Sequence, residues 1–223
     1  MDKKILVAGG TGRTGQIIVR DLIANGYHPR LLVRDRDKAK ALFGEDITLH
    51  QGDVRDLITL LEPLAGIEVL ISAIGSCTPV GKNCPKRVDY EGVANLVRAA
   101  QIQGVGHFIL ISSIAVTHPE HPLNRFGKIL DWKRKGEETL QYSGLNYTIV
   151  RPGGLKDTPG GGCALVFSQG DQATGTLSRE DLAQICLQVL HGPAPTHVTF
   201  EAIEACQKEA TDWSELFASL VPD

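Results

Sequence analysis

What this 223-residue chain lacks narrows its class before anything else does. No apolar run reaches the ~18 residues of a membrane-spanning helix. The apolar stretch near the N-terminus, Ile5–Ala8, is too short for the apolar region of a signal peptide. A cytoplasmic location is therefore expected, or the plastid stroma for an organelle protein already trimmed. Charge of one sign is also scarce. The net charge of −3 is far from the basic balance of a general nucleic-acid binder, although it is compatible with a local basic pocket. There is no Cys-x-x-Cys and no His/Cys spacing that suits zinc. The five cysteines, Cys77, Cys84, Cys163, Cys186 and Cys206, thus read as free buried thiols of a reducing compartment. Repeats, low-complexity segments and domain linkers are absent, and the length suits one domain of roughly 100–200 residues.

What is present is ordinary globular composition with an excess of glycine. Hydrophobic residues make up 42% and charged residues 22%, which excludes disordered and collagen-like classes. Glycine numbers 24, an excess over the usual ~7% that calls for tight turns or close backbone approach. Short apolar runs alternate with helical spacing. Strands are predicted at Ile5–Ala8, Arg30–Val33, Ile47–His50, Val69–Ala73, Phe108–Ile111, Tyr147–Val150 and Val198–Ala202. Helices are predicted over Gln16–Asn25, Asp37–Phe43, Leu57–Leu64, around Val93–Ala100, and over Asp131–Tyr142, Asp181–Leu190 and Trp213–Leu220. Gly153–Cys163 reads as a loop, and Ser178-Arg179-Glu180-Asp181 as a helix cap with an internal ion pair. Alternating strands and helices give an α/β fold: a Rossmann-type doubly wound parallel sheet, with a small C-terminal extension on the substrate side. Residues 1–155 are assigned to the cofactor core and 156–223 to the extension.

The segment Gly9-Gly10-Thr11-Gly12-Arg13-Thr14-Gly15 lies directly between the first strand and the first helix. In that position Gly-x-x-Gly-x-x-Gly is a dinucleotide-binding motif. Gly9 permits the tight turn, Gly12 lets pyrophosphate approach the backbone, and Gly15 lets helix and strand pack closely. Free N–H groups and the positive dipole end of the helix, near Thr11, Arg13 and Thr14, favour phosphate. The second strand ends at Arg34, 19 residues after Gly15, where an acid would mark NAD and an Arg accommodates a 2′-phosphate. The expected coenzyme is therefore NADP(H), with Arg13 as a second cation on the same side. Asp35 stands one position too late and is expected to point away.

The loop spacing resembles that of extended and atypical short-chain dehydrogenase/reductases. The resemblance tightens at His121-Pro122-Leu123-Asn124, at Asp131-Trp132-Lys133-Arg134-Lys135 and across Ser143–Leu155. The chain is most similar to atypical members of the NmrA-like and biliverdin-IXβ-reductase/flavin-reductase kind, of cyanobacterial and plastid type. The resemblance implies that Asp53 and Val54 contact adenine. It implies that Ala73, Ile74 and Gly75 hold the adenine ribose and lead toward nicotinamide, and that Arg151-Pro152-Gly153-Gly154 lies beside the nicotinamide. Ser112 joins the cofactor residues, and Ser113 is the candidate catalytic serine.

One part of the family's usual machinery is missing. Ordinary members carry Tyr-x-x-x-Lys, with Tyr as proton donor and Lys on the nicotinamide ribose. Here Lys133 takes the lysine place, yet four residues before it stands Ile129. Lys133 reads as a ribose ligand or as a surface charge paired with Glu137. Reduction of a ketone needs an acid at its oxygen, and this chain has none at the usual place. A flavin, tetrapyrrole or quinone asks less, since charge is delocalised and solvent can supply the proton. His118 and His121, on a loop at the carboxyl end of the sheet, are further candidate donors, whereas the intervening prolines oppose a metal site. Phe126 and Trp132 fit an apolar substrate wall or core packing equally.

The expected function is hydride transfer from NADPH to such an acceptor. The alternatives are a non-catalytic NADP(H)-binding sensor or assembly factor and, more weakly, a nucleotide-sugar epimerase or dehydratase. Expected partners are a small-molecule acceptor, with no nucleic acid and no membrane span, and the chain is expected to be a monomer or a small homo-oligomer.

Overall fold

The computed structural model describes residues 3–192, 195–205 and 212–223. Cys206 lies outside them. Ten strands run in chain order through the described residues: β1 (Ile5–Ala8), β2 (Arg30–Val33), β3 (Thr48–Gln51), β4 (Val69–Ser72), β5 (His107–Ile111), β6 (Tyr147–Pro152), β7 (Gly154–Lys156), β8 (Ala164–Ser168), β9 (Thr176–Ser178) and β10 (Val198–Ala205). The helices are α1 (Arg13–Ala24), α2 (Arg36–Phe43), α3 (Ile58–Leu64), α4 (Glu91–Gln103), α5 (Ile129–Gln141), α6 (Arg179–His191) and α7 (Trp213–Ala218). A π-helical turn, Lys86–Tyr90, leads straight into α4.

Eight of these strands form one sheet in the order β3-β2-β1-β4-β5-β6-β10-β8. All neighbours are parallel except β8, which runs antiparallel to β10 at the edge. The first six give the doubly wound order in which the chain reverses direction between β1 and β4. Strand residues alternate between two cores. Ile5, Val7, Ile71 and Ile109 face α1 and α6, while Leu6, Ala8, Leu70 and Leu110 face α3, α4 and α5. Both faces are covered, which is why the strands read as unbroken apolar runs.

The sequence expectations differ from the structure in four places. α1 begins at Arg13 rather than Gln16, because the last glycine of the loop, Gly15, already lies in its first turn. The expected Gly153–Cys163 loop contains β7, which pairs with β9 as a separate two-stranded sheet. Each of those strands has only three residues, too few to show a period. β8 is also unforeseen, a five-residue edge strand whose partner lies far along the chain. Finally, the cysteines are not all free and buried. Cys163 is disulfide-bonded, and of the free ones Cys77 is exposed, Cys84 half-buried and Cys186 buried. Cys163 adjoins an edge strand paired to a distant segment, a proximity that sequence spacing does not reveal.

Candidate coenzyme and substrate site

The site is built where β1 and β4 part. Gly9 has φ +84°, and a Cβ there would stand 2.6 Å from the Ala73 carbonyl oxygen. A Cβ on Gly15 would stand 2.1 Å from the Gly9 oxygen, so the start of α1 can sit on the loop only as glycine. The Gly12 amide donates to the Gly9 carbonyl at 2.9 Å and closes the turn. No side chain caps α1 at Gly12, and its first turn holds no acid. Its free amides and dipole are thus left open to an anion. These features fit the pyrophosphate of a dinucleotide.

From this loop a groove of about 270 Å³ runs across the carboxyl ends of the strands. It collects Gly9, Thr11, Gly12, Arg34, Asp53, Val54, Ala73, Ile74 and Gly75 from the predicted set, and adds Lys38, Arg55 and Asn83. Asp35 is turned to its own helix, where its Oδ1 accepts from the Lys38 amide at 3.0 Å. Asp53 grips Arg55 through both carboxylate oxygens, with Nε–Oδ1 at 2.9 Å and a shorter Nη2–Oδ2 contact. That guanidinium holds the Asp53 carboxyl below its usual range, with smaller help from the Arg34 charge. Arg13 does not join Arg34. It pairs with Asp157, which also accepts from Arg179 at 2.7 Å, so the ion pair expected within the Ser178–Asp181 segment reaches outside it. The cap itself is present, Ser178 Oγ accepting from the Asp181 amide at 2.9 Å.

Further along, Ile74, Ser112 and Lys133 share a small cleft of about 10 Å³ with Asp89. Lys133 Nζ lies 2.9 Å from Asp89 Oδ1, and the Asp89 carboxylate is fully buried. This rules out the alternative in which Lys133 is a surface charge paired with Glu137. α5 approaches the π-helical turn closely at Gly136, where a Cβ would stand 2.6 Å from the Asp89 carbonyl, and this brings Lys133 onto Asp89. Thr14, Gly15, Ser113, His118, Pro152 and Gly153 line neither cavity. Pro152 and Gly153 are buried, and a Cβ on Gly153 would stand 2.7 Å from the Gly175 carbonyl. Ser113 is half-buried just past β5. Trp132 stacks on Tyr90 with ring centres 5.9 Å apart, under Lys135 at 4.8 Å.

A buried charge network ties β6 and α5 to the loop after β5 and the turn at Asp171. Glu137 takes the Arg151 guanidinium with both oxygens, at 3.1 and 2.6 Å. Burial raises the Glu137 carboxyl despite that partner. Asp171 accepts from the amides of Ala115 and Thr117, each at 2.7 Å, and from the Thr117 hydroxyl at 2.8 Å. Burial pushes Asp171 up, but these bonds and the Arg151 charge outweigh it and leave the carboxyl below its usual range. Glu201 Oε1 accepts from the Asp171 amide at 3.0 Å. The Asp171 carbonyl lies 2.9 Å from His118 Nε2, a bond that raises the imidazole's pKa. Sequence reasoning missed Asp89, Glu137, Asp171 and Glu201 as a group. Their partners lie between 14 and 56 residues away in the chain.

The NAD(P)H-binding family model matches residues 9–193. The chain belongs to this family. It is 34% identical over 231 residues to the uncharacterized chloroplastic protein At2g34460 of Arabidopsis thaliana, covering 98% of this chain and 82% of that one. It is 31% identical over 228 residues to the sanguinarine reductase of Eschscholzia californica, covering 83% of each. Among solved structures, the oxidoreductase ylbE of Lactococcus lactis superposes with a TM-score of 0.82 at 22% identity, covering 97% of this chain and 95% of that one. ChuY, an anaerobilin reductase of Escherichia coli O157:H7, superposes with a TM-score of 0.79 at 24% identity, covering 93% of this chain and all of that one. At these identities the likeness establishes the Rossmann fold. Among the described residues, no helix is long and apolar enough to cross a membrane.

Proposed function

We propose that the chain binds NADP(H) in preference to NAD(H) and directs hydride to a planar conjugated acceptor, with flavin and biliverdin-like tetrapyrroles ahead of quinones. The observation that carries this reading is Ile129. It opens α5 one turn before Lys133, so the place of the usual phenol donor is apolar. When bound, the reduced nicotinamide supplies the hydride. The chain's own groups do the rest. The first-turn amides of α1 receive pyrophosphate, Arg34 receives the 2′-phosphate, and Asp53 and Val54 border adenine. Asp89 steers Lys133 toward the nicotinamide ribose. Ser112 lines the cleft beside Lys133 at the nicotinamide end, Ser113, Pro152 and Gly153 are assigned to the same end by the family resemblance, and His118 is a candidate donor on the loop after β5. That relatives and structural neighbours include a sanguinarine reductase and an anaerobilin reductase supports a reductase with a small-molecule substrate. The chloroplastic relative supports the stromal alternative for location.

A second reading is a non-catalytic NADP(H)-binding sensor. It is favoured by the cleft at Lys133, which at about 10 Å³ holds no substrate-sized space. The nucleotide-sugar epimerase or dehydratase alternative is weakened by the same Ile129, since that chemistry also moves a proton at an alcohol. Following NADPH oxidation with FMN, FAD, biliverdin and quinones in turn tests the choice. Turnover with any of them supports the reductase, and tight NADPH binding with none supports the sensor.

A further inference from the structure

At the far end of the groove, two arginines from different loops share one neutral acceptor. Arg34, at the end of β2, donates from Nη1 to Asn83 Oδ1 at 3.0 Å. Arg55, just past β3, donates from its own Nη1 to the same oxygen at 3.2 Å and to the Lys82 carbonyl at 2.8 Å. Asn83 belongs to the segment 76–85 that follows β4, so three βα connections meet at a single amide oxygen. The arrangement is electrostatically unsaturated. Two guanidinium forks repel each other, and an amide carbonyl offers lone pairs but no charge. Lys38 lines the same end. The Asp53 carboxylate neutralises one edge of Arg55, and the Nη1 that points at Asn83 is left outside that pair. A phosphate monoester has the charge and the spread of oxygens that two forks require.

We propose that Arg55 joins Arg34 as a second determinant of coenzyme choice at the adenosine 2′-phosphate, and that Asn83 is the positioning residue that gathers the two guanidinium groups before the phosphate arrives. This rests on the placement of the adenosine end in this groove. Asp53 fixes the orientation of Arg55, so its fork is set before binding and little side-chain freedom is lost on binding. Asn83 does the same for the pair, at the cost of being the acceptor that the phosphate must compete with.

Calorimetric titration of the full chain with 2′,5′-ADP and with 5′-AMP tests this without any reaction. The wild-type chain should favour 2′,5′-ADP strongly, and Arg34→Gln should remove most of that preference. Arg55→Gln should lower 2′,5′-ADP affinity about tenfold or more, the scale of a charge-assisted bond, with 5′-AMP changed less than about twofold. Arg55→Lys keeps the charge without the fork and should fall between the two. Asn83→Asp places a carboxylate between the arginines and should weaken 2′,5′-ADP by about tenfold or more while sparing 5′-AMP. If Arg55→Gln and Asn83→Asp alter both nucleotides alike, or neither, while Arg34→Gln still removes the preference for 2′,5′-ADP, the assignment of Arg55 and Asn83 is overturned alone. If the wild-type chain shows no preference for 2′,5′-ADP, both this assignment and the placement of the adenosine end fall.

Discussion

The two ends of the site are held by opposite means. The coenzyme end is an open groove shaped by backbone: glycines at 9, 12 and 15, free helix amides, and cations at 34, 38 and 55. The proposed substrate end is closed and fixed by buried charge, with Arg151 among Glu137, Asp171 and Glu201. The first end ties Arg34 and Arg55 only to Asn83, the Lys82 carbonyl and Asp53, and leaves the α1 amides open to a ligand. The second commits its charges to one another, and the chain segments they pin are the loop after β5 and the turn at Asp171. The difference teaches where each kind of specificity can reside. Coenzyme choice can change by single exposed side chains, whereas the shape of the substrate end depends on a network that fails as a unit.

The largest effect should come from breaking that network. Arg151→Met leaves Glu137, Asp171 and Glu201 without their cation and should cost about 3–5 kcal/mol in urea unfolding. Pairing it with Glu137→Leu should recover a substantial part of the loss, because an apolar pair avoids the desolvation of both charges. If Arg151→Met leaves the unfolding midpoint within error, the closed end is held by something else.

A site remote from both ends gives the baseline. His107 opens β5, is buried against Thr148 at 2.9 Å, and burial depresses its imidazole to about 4. The folded state therefore favours the neutral ring. Between the unfolded value near 6.5 and about 4 the unfolded chain binds the extra proton, so stability falls as pH drops through that window. The loss should approach about 3 kcal/mol by pH 4. His107→Gln should flatten this part of the pH dependence while leaving coenzyme affinity at pH 7 unchanged.

At the open end, Gly15→Ala forces a Cβ into the Gly9 carbonyl and should cost about 1–3 kcal/mol. Its effect on NADPH affinity should be larger, about tenfold or more, since the loop must part from α1. A fall in stability with unchanged affinity would detach the loop from the coenzyme. The smallest effects are expected at Ser113→Ala and His118→Gln, each altering acceptor reduction by less than about tenfold. A positioned general acid typically contributes more than that, about 10²–10⁴, and a drop of that size at His118 would make it the proton donor.

The legibility of the chain divides along the same line. The coenzyme end lies close in sequence, and its residues carry their own rules. A glycine triplet between strand and helix, with a cation after the next strand, can be read directly. Thus Gly9, Thr11, Gly12 and Arg34, all chosen by spacing, line one groove. The substrate end is assembled from partners far apart in the chain, and local spacing misleads there. Lys133 and Glu137 are four apart on a helix, which suggests a surface pair. Yet Glu137 turns inward to Arg151, and Lys133 turns to Asp89 on another element. Arg13 misled in the same way, because Asp157 lies 144 residues on. β7 and β9 escaped notice because three residues carry no period, and the disulfide at Cys163 because no local cysteine spacing announces it.

Hydride transfer to a planar acceptor can be followed by mixing the chain anaerobically with NADPH and biliverdin or FMN and recording nicotinamide absorbance. Acceptor-dependent loss of NADPH is expected, markedly slower with NADH, and still present in Ser113→Ala. Tight NADPH binding with no oxidation by any planar acceptor would contradict it.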